Sequence, residues 1–519
     1  MTIFKSPLAD VAMRDVSITE RLFEGLAGDP GRIVLIDGPS GAELSGEALR
    51  DRIERLAGGL SKAGFGAGQV VALMAPNSPD YAVVFHAVAF AGGTITTVNP
   101  TYTATEVNHQ LRDSGATLLI TIPAFLAVAQ TAIEGTAVRK IAVIGAASGQ
   151  MSIDDMMGAP LQAQAPVDLD RHILVLPYSS GTTGLPKGVM LSHRNLVVNV
   201  DQIIQLLDIR RGETSVAFLP FFHIYGMNVL MNAFLSGEAT LVTLPRFDLE
   251  ALLTHIQTHK VRLMLVAPPV AIALAKHPMV DQFDTSSLKV ILSAAAPLGA
   301  EVSEACGKRL SCAVIQGYGM TELSPLSHAV PHARPKPGAV GITAPNSQTR
   351  IVDPVTGVSQ GPGQEGEVWV RGPQVMLGYL NNADATAKTM DGDWLKTGDL
   401  GMVDEDGYLF IRDRLKELIK VKGFQVAPAE VEGELLGLPG IADAAVIGVP
   451  DDDAGELPMA FVVSAAGAAQ DVAAIQAALR LRLTGYKVPS RIVFIDVIPK
   501  SAAGKILRRV LRDRLKDQS

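Results

Sequence analysis

Cysteine is nearly missing from this chain: Cys306 and Cys312 are the only two in 519 residues. Two thiols do not build a disulfide framework, and their spacing fits no common metal pattern. The expectation is a reducing, cytoplasmic setting with two structural thiols. Charge of one sign is scarce too, since 45 Lys and Arg stand against 53 Asp and Glu for a net charge of -8. That balance gives no reason to expect nucleic acid or an anionic membrane as partner. Residues 1–22 lack the apolar core of a signal peptide, being interrupted by Lys5, Asp10, Arg14, Asp15, Glu20 and Arg21. Lys516-Asp517-Gln518-Ser519 matches no retention or peroxisomal signal. Two stretches, 81–105 and 214–237, carry no charge, but Gly92-Gly93, Asn99-Pro100, Pro220, His223 and Gly226 break them. A spanning helix needs about 20 predominantly apolar residues. Both read instead as buried helices and strands of a large α/β core.

Apolar residues are plentiful, at 48% against 19% charged. The length exceeds what one core usually organises, so two or more domains are expected. Short β-branched runs at 70–74, 94–98, 118–122, 140–144, 173–176, 239–243, 263–266, 290–293 and 313–316 read as buried strands. They alternate with helical stretches at 80–91, 106–114, 194–207, 249–259 and 300–309. Such alternation predicts parallel sheets covered by helices. After about Pro331 the prolines at 335, 337, 345, 354, 362 and 373 punctuate short alternating runs such as 367–371, which predicts a small antiparallel β region. Beyond Arg414 the runs 444–449, 475–483 and 491–495 form a separate strand-and-helix pattern. The fold class is therefore α/β. A large N-terminal domain, 1–414, holds two helix-covered, mostly parallel sheets plus a β-rich part at about 331–414. A small α/β domain, 415–519, follows.

The chemistry begins after the run 173–176, with Ser179-Ser180-Gly181-Thr182-Thr183-Gly184-Leu185-Pro186-Lys187-Gly188-Val189. Backbone N–H groups, hydroxyls and one cation in so small a volume make a polyphosphate cradle. It is not a P-loop, because Pro186 precedes Lys187 and Gly188 follows it. No G-x-G-x-x-G opens a helix here either. Four more clusters lie downstream. In Gln316-Gly317-Tyr318-Gly319-Met320-Thr321-Glu322 the glycines admit a flat ligand, Tyr318 offers a face, and Glu322 is an oxygen ligand suited to Mg²⁺. In Thr397-Gly398-Asp399 a carboxylate on a tight turn can accept two ribose hydroxyls. From Arg412 to Val426 charges crowd together, and Phe424 to Val426 beside Lys420 and Lys422 suggests a hairpin with cations on one side. Finally, Gly504-Lys505 puts a cation on a loop before an amphipathic stretch, 507–515.

In this order the clusters resemble the adenylate-forming superfamily of acyl-CoA ligases, luciferases and peptide-synthetase adenylation domains, over nearly the whole chain. Within it the likeness is greatest to the 4-coumarate–CoA ligases, carried by Phe221-Phe222-His223-Ile224-Tyr225-Gly226, by 316–322 and by 413–428. The resemblance implies ATP, Mg²⁺ and coenzyme A, with a carboxylic acid joined to CoA through an acyl-adenylate. It implies that Ser179, Ser180, Gly181, Thr182, Thr183, Gly184 and Lys187 hold the β- and γ-phosphates. Ala295, Ala296, Gln316, Gly317 and Tyr318 would frame the adenine, with Gly319, Met320 and Ile411 also at the nucleotide. Thr321 would meet the α-phosphate, Glu322 the metal, and Asp399 and Arg414 the ribose. Lys505 would bridge carboxylate and α-phosphate. Lys416 stands at the family's hinge, about which the small domain swings to bring Lys420 and Gln425 toward the site for thioester formation. Arg246, Lys422 and Gly423 would contact CoA. The acid pocket would comprise His223, Ile224, Tyr225, Asn228, Leu265, Ala294, Gly317, Gly319, Pro325 and Leu326, with Tyr225 and Asn228 able to bond a phenol. His223 is read as a gate and steering group ahead of a general base. Ala294 replaces the glycine of the plant pattern, and its methyl should narrow the pocket. Competing readings are a medium- or long-chain fatty-acyl-CoA ligase and a luciferase-like adenylating oxygenase. Neither a carrier-protein domain nor membrane insertion is expected.

Overall fold

The computed structural model describes residues 2–179, 186–422, 424–451, 453–465, 467–501 and 504–516. Its first sheet has eight strands in the order Gly378–Tyr379, Lys187–Ser192, Ile173–Ser179, Thr94–Thr97, Val70–Met74, Leu118–Thr121, Lys140–Val143 and Met151–Ser152. From Ile173–Ser179 to Met151–Ser152 every pairing is parallel, as the alternation with helices predicts. Helix Pro79–Phe90 starts where Ser78 accepts from Tyr81 N, and it is buried from Tyr81 through Phe90. A helix apolar on all sides must be covered on all sides.

The second sheet starts as a parallel trio, Leu263–Val266, Val290–Ser293 and Ala313–Gly319. It then turns antiparallel at Leu326–Ala329 and runs through Gly341–Thr343, Tyr408–Arg414, Trp394–Val403, Gly366–Arg371 and Gln348–Val352 to Phe4–Lys5. The β-rich stretch expected after Pro331 is thus no separate layer. It is hydrogen-bonded onto the parallel trio through the shared strand Ala313–Gly319. A third, four-stranded sheet joins Thr214–Ala217, Thr240–Thr243, Ile33–Asp37 and Glu43–Ser45.

The C-terminal segment builds a five-stranded sheet from Ile419–Val421, Phe424–Val426, Ile441–Asp451, Gly455–Ser464 and Arg491–Phe494. Its apolar core is its own, with Val426, Val431, Leu435, Val446, Val462 and Leu479 buried together. Glu432, buried, takes both Arg508 Nη2 contacts at 2.7 and 2.8 Å, which fastens helix Arg508–Lys516 to this unit. Among the described residues no helix is long and apolar enough to cross a membrane.

The uncharged stretch 214–237 holds one strand, Thr214–Ala217, and then a π-helix, Tyr225–Asn232. Gly226 is required at its start, because a Cβ there would lie 2.2 Å from Pro220 O. Buried Asn77 holds the intervening loop: Nδ2 donates to Ala217 O and Leu219 O at 2.9 Å, and Oδ1 accepts from Phe221 N at 2.7 Å. Replacing Asn77 by Ala strands two buried main-chain groups, Leu219 O and Phe221 N, while Ala217 O keeps its bond from Leu244 N at 3.0 Å. A loss of about 3 kcal/mol of stability is expected in urea denaturation, since each unsatisfied group costs about 1–3 kcal/mol before relaxation.

Candidate active site

A cleft of about 890 Å³ opens at the carboxyl ends of the parallel strands, between the large lobe and the C-terminal unit. Sheets of this kind collect ligands there because each strand delivers a loop to the same rim. Strand Ile173–Ser179 ends at Ser179, strand Val290–Ser293 leads into Ala294 and Ala295, and strand Ala313–Gly319 leads into Met320, Thr321 and Glu322.

At one end lie Ser179 and Lys187, cross-strand partners, while Ser180, Gly181, Thr182, Thr183 and Gly184 between them fall outside the described residues. Lys187 Nζ sits 4.9 Å from the centroid of the Tyr379 ring. The Tyr379 hydroxyl donates to Oε1 of buried Glu322 at 2.8 Å. Glu322 and Thr321 face the cleft together.

Further along, Asp399 and Arg414 are cross-strand partners, and Arg414 Nε lies 3.2 Å from Asp399 Oδ1. Tyr318 donates its hydroxyl to Asp399 Oδ2 at 2.5 Å. Tyr318 and Arg414 line the cleft, and Asp399 stands behind them. Ala295 lines it with φ of 74°, a strained left-handed backbone for a residue with a Cβ. Gln316, Gly317, Ala296 and Ile411 do not line it. The Gln316 amide oxygen instead accepts from Leu298 N at 3.0 Å and fixes the loop after Ser293. Gly319 lines the cleft and must be glycine, since a Cβ would sit 2.0 Å from Pro325 O.

The apolar end is walled by Ile224, Tyr225, Val229, Ala294, Pro325 and Leu326. Three expected members are elsewhere, Gly317 among them. Leu265 is fully buried inside the parallel trio. Asn228 is fully buried, with Nδ2 donating to Ser324 O at 2.7 Å and Oδ1 accepting from Asn232 at 3.0 Å. The cause is the winding of Tyr225–Asn232. An i→i+5 helix advances roughly 80° per residue instead of 100°, so positions four apart fall in line and positions three apart diverge. Val229 therefore joins Tyr225 at the cleft, and Asn228 turns into the core. The Tyr225 proton is shared between Val266 O and Leu292 O, each at 3.3 Å. The expectation that Tyr225 and Asn228 bond a phenol is corrected for Asn228, which does not reach the cleft; Tyr225 lines it with its proton engaged, which leaves its oxygen as an acceptor.

His223 lies between the two ends. Thr97 Oγ1 holds the neighbouring Phe222 carbonyl at 2.8 Å, and Asn77 holds Phe221. His223 Nδ1 accepts from Tyr225 N at 3.3 Å, which leaves the ring proton on Nε2. Burial, and then the charge of Lys505, push the imidazole down to about 4, so it is neutral. Lys505 reaches the cleft from the C-terminal unit, beside Ser501 and Lys416. Burial, and then Arg414, lower its ammonium to about 8. Lys420, Lys422 and Gln425 are exposed on the hairpin Ile419–Val426 and do not line the cleft; nor does exposed Arg246. Gly423 falls outside the described residues. Tyr379, Val229 and Asn77 escaped the sequence reading, and Phe222 entered it only as part of the run that carries the resemblance. Tyr379 sits on a two-residue strand, too short for any periodicity to mark it.

A neutral imidazole, a phosphate-end lysine, a buried carboxylate and a lysine from a second unit around one cleft define an enzyme that activates an acid with a nucleotide. Residues 22–380 match the model of the AMP-binding enzymes, and 430–505 match that of the AMP-binding enzyme C-terminal domain. The chain belongs to this family and is an AMP-forming acid–CoA ligase. It is 42% identical to 4-coumarate–CoA ligase 5 of Oryza sativa subsp. japonica, over 99% of this chain and 97% of that one. An anthranilate CoA ligase, AuaEII, in complex with anthranoyl-AMP superposes with a TM-score of 0.91 at 26% identity, covering 98% of this chain and 99% of that one. ATP-bound MatB from Rhodopseudomonas palustris gives 0.88 at 30% identity, with 97% and 99% covered.

The shifted groups set a pH signature. Lys505 is cationic below about 8 and loses its charge as pH rises through that value. In pyrophosphate release, kcat/KM should fall above about pH 8, because it reports groups of the free enzyme. Lys505→Arg should remove that limb. His223, already neutral above about 4, should add no inflection near the ordinary imidazole value of 6.5.

Proposed function

We propose that this chain joins coenzyme A to an aryl acid of the hydroxycinnamate type, 4-coumarate or cinnamate, through an acyl-adenylate. The reading is carried by one juxtaposition: Lys505 of the C-terminal unit shares a cleft with Thr321, Glu322 and Arg414, and that cleft ends in an apolar pocket. In the first half-reaction a carboxylate oxygen bonds the α-phosphorus of ATP, and the bond to the bridging oxygen of pyrophosphate breaks. Lys505 stabilises the charge gathering on carboxylate and α-phosphate oxygens. Lys187 and the hydroxyls and amides of 179–184 hold the departing phosphates, and Tyr318, Asp399 and Arg414 place the nucleoside. His223, holding its proton on Nε2, steers the carboxylate as a donor.

Glu322 suits a Mg²⁺ ion that arrives with the nucleotide, because Mg²⁺ is commonly held by one or two carboxylates plus substrate phosphates. No group of three His, Cys, Asp or Glu forms a protein cage among the described residues, which fits an ion completed by phosphate oxygens. When bound, the ion neutralises polyphosphate charge. In the second half-reaction the CoA sulfur bonds the acyl carbon, the bond to AMP breaks, and the thiol proton leaves to solvent. Rotation about Lys416 would withdraw Lys505 and bring Lys420 and Gln425 to the cleft. Lys422, Gly423 and Arg246 would then meet CoA.

The test is pyrophosphate release on a panel of cinnamates and fatty acids, with and without CoA. Lys505→Ala should lower adenylation on the order of 100-fold or more, as loss of one transition-state donor does. It should spare thioester formation from preformed adenylate. Lys420→Ala and Gln425→Ala should do the reverse. Unchanged adenylation in Lys505→Ala would sink the assignment, and faster turnover of fatty acids than of cinnamates would replace the substrate class.

Ala294 lines the pocket, and a methyl turned toward the acid would narrow it. Cinnamate and 4-coumarate should exceed ferulate in kcat/KM. Ala294→Gly should raise ferulate on the order of tenfold, the scale of a methyl-sized clash. Equal values for the three acids in the native enzyme would remove the idea.

A further inference from the structure

Tyr379 has no part in the steps above, yet it touches both charged groups at the phosphate end. Its hydroxyl donates to Glu322 Oε1 at 2.8 Å, and Lys187 Nζ lies 4.9 Å from its ring centroid. It lines the cleft while only 8% exposed, so little of the ring is left for other contacts.

Main-chain bonds fix this arrangement. Gly378–Tyr379 pairs antiparallel with Lys187–Ser192, with Val189 opposite Tyr379. Leu380 N donates to Gly188 O at 2.8 Å, and Leu377 N to Met190 O at 2.9 Å. The tyrosine and the lysine therefore ride on adjacent strands. Met376 N donates to the main-chain carbonyl Glu322 O at 2.9 Å, which ties the backbone of Glu322 to the same segment. Thr386 Oγ1 accepts from Tyr379 N at 2.9 Å and seats the residue from the other side.

We propose that Tyr379 is a positioning residue for the metal–nucleotide complex, whose ring parks the Lys187 ammonium while its hydroxyl orients the Glu322 carboxylate. The inference rests on the reading of Lys187 and Glu322 given above. An ammonium in a half-dry cleft loses hydration, and the negative face of an aromatic ring returns part of it. A buried carboxylate needs a donor, and a phenol supplies one without adding charge. The two contacts give the cation and the anion separate partners on one side chain, the ring for Lys187 and the hydroxyl for Glu322.

Two variants separate the functions. Tyr379→Phe keeps the ring and removes the hydroxyl; Tyr379→Leu removes both. The first measurement is ATP binding by equilibrium dialysis across a Mg²⁺ titration. Both variants should need on the order of tenfold more Mg²⁺ for half-maximal binding, as expected for loss of a hydrogen bond to a charged group. The KM for the acid and the thermal midpoint of Tyr379→Phe should stay at the native values. The second is amine-reagent labelling of Lys187 in the nucleotide-free enzyme, read by mass spectrometry. Labelling should match the native rate in Tyr379→Phe and rise several-fold in Tyr379→Leu. A native Mg²⁺ requirement in Tyr379→Phe would overturn the hydroxyl's role, and native labelling in Tyr379→Leu the ring's. ATP binding by the native enzyme that ignores Mg²⁺ would instead overturn the assignment of Glu322, and the proposal with it.

Discussion

The crowding of cations in a cleft that is partly shut off from water is the constraint on which the rest of this structure depends. Lys187, Arg414 and Lys505 all line that cleft. Like charges brought together at reduced dielectric destabilise one another, and each needs something to lean on. Arg414 has the carboxylate of Asp399 at 3.2 Å, and Lys187 has the face of Tyr379. Lys505 is the least compensated: Asp399 and Glu417 act on it, but burial and Arg414 outweigh them. A polyphosphate bound beside these cations would relieve this imbalance. The least compensated cation also sits on the unit with its own core and its own sheet, the piece proposed above to swing.

Rigidity elsewhere makes that arrangement repeatable. Strand Ala313–Gly319 belongs to the parallel trio on one side and to the antiparallel region on the other. It therefore sets, in one stroke, the distance between the apolar end of the cleft at Ala294 and the polar pair Asp399 and Arg414. The contact of Gly319 with the Pro325 carbonyl brings the pocket wall against the same strand. Sites carried on such elements hold their geometry better than sites carried on loops alone.

Much of this was readable from the chain. Runs such as 263–266 and 290–293 mark their strands to the residue, because strands buried on both faces are uniformly apolar. Helix Leu249–His259 also shows its spacing, in buried Leu252, Leu253 and Ile256. Sheet continuity was not readable, because Gly341–Thr343 takes its partner from Tyr408–Arg414, far along the chain. The same division holds in the cleft. Consecutive residues such as 316–322 announce their chemistry together. Asn77 and Tyr379 act on groups scores of residues away, and no local pattern records that. The exchange of Asn228 for Val229 was hidden for another reason, since residue identity says nothing about how tightly a helix is wound.

That winding gives the pocket an unusual kind of heredity. In most sites a new preference arises by replacing one side chain with another. Here the wall is chosen by the pitch of Tyr225–Asn232, and pitch depends on how many residues fill the turn. Loss of a single residue would restore ordinary winding and re-aim the segment as a whole, exchanging which side chains face the acid without altering any of them. The acid pocket is therefore exposed to change by insertion and deletion as well as by substitution, through a stretch of chain that never touches the nucleotide.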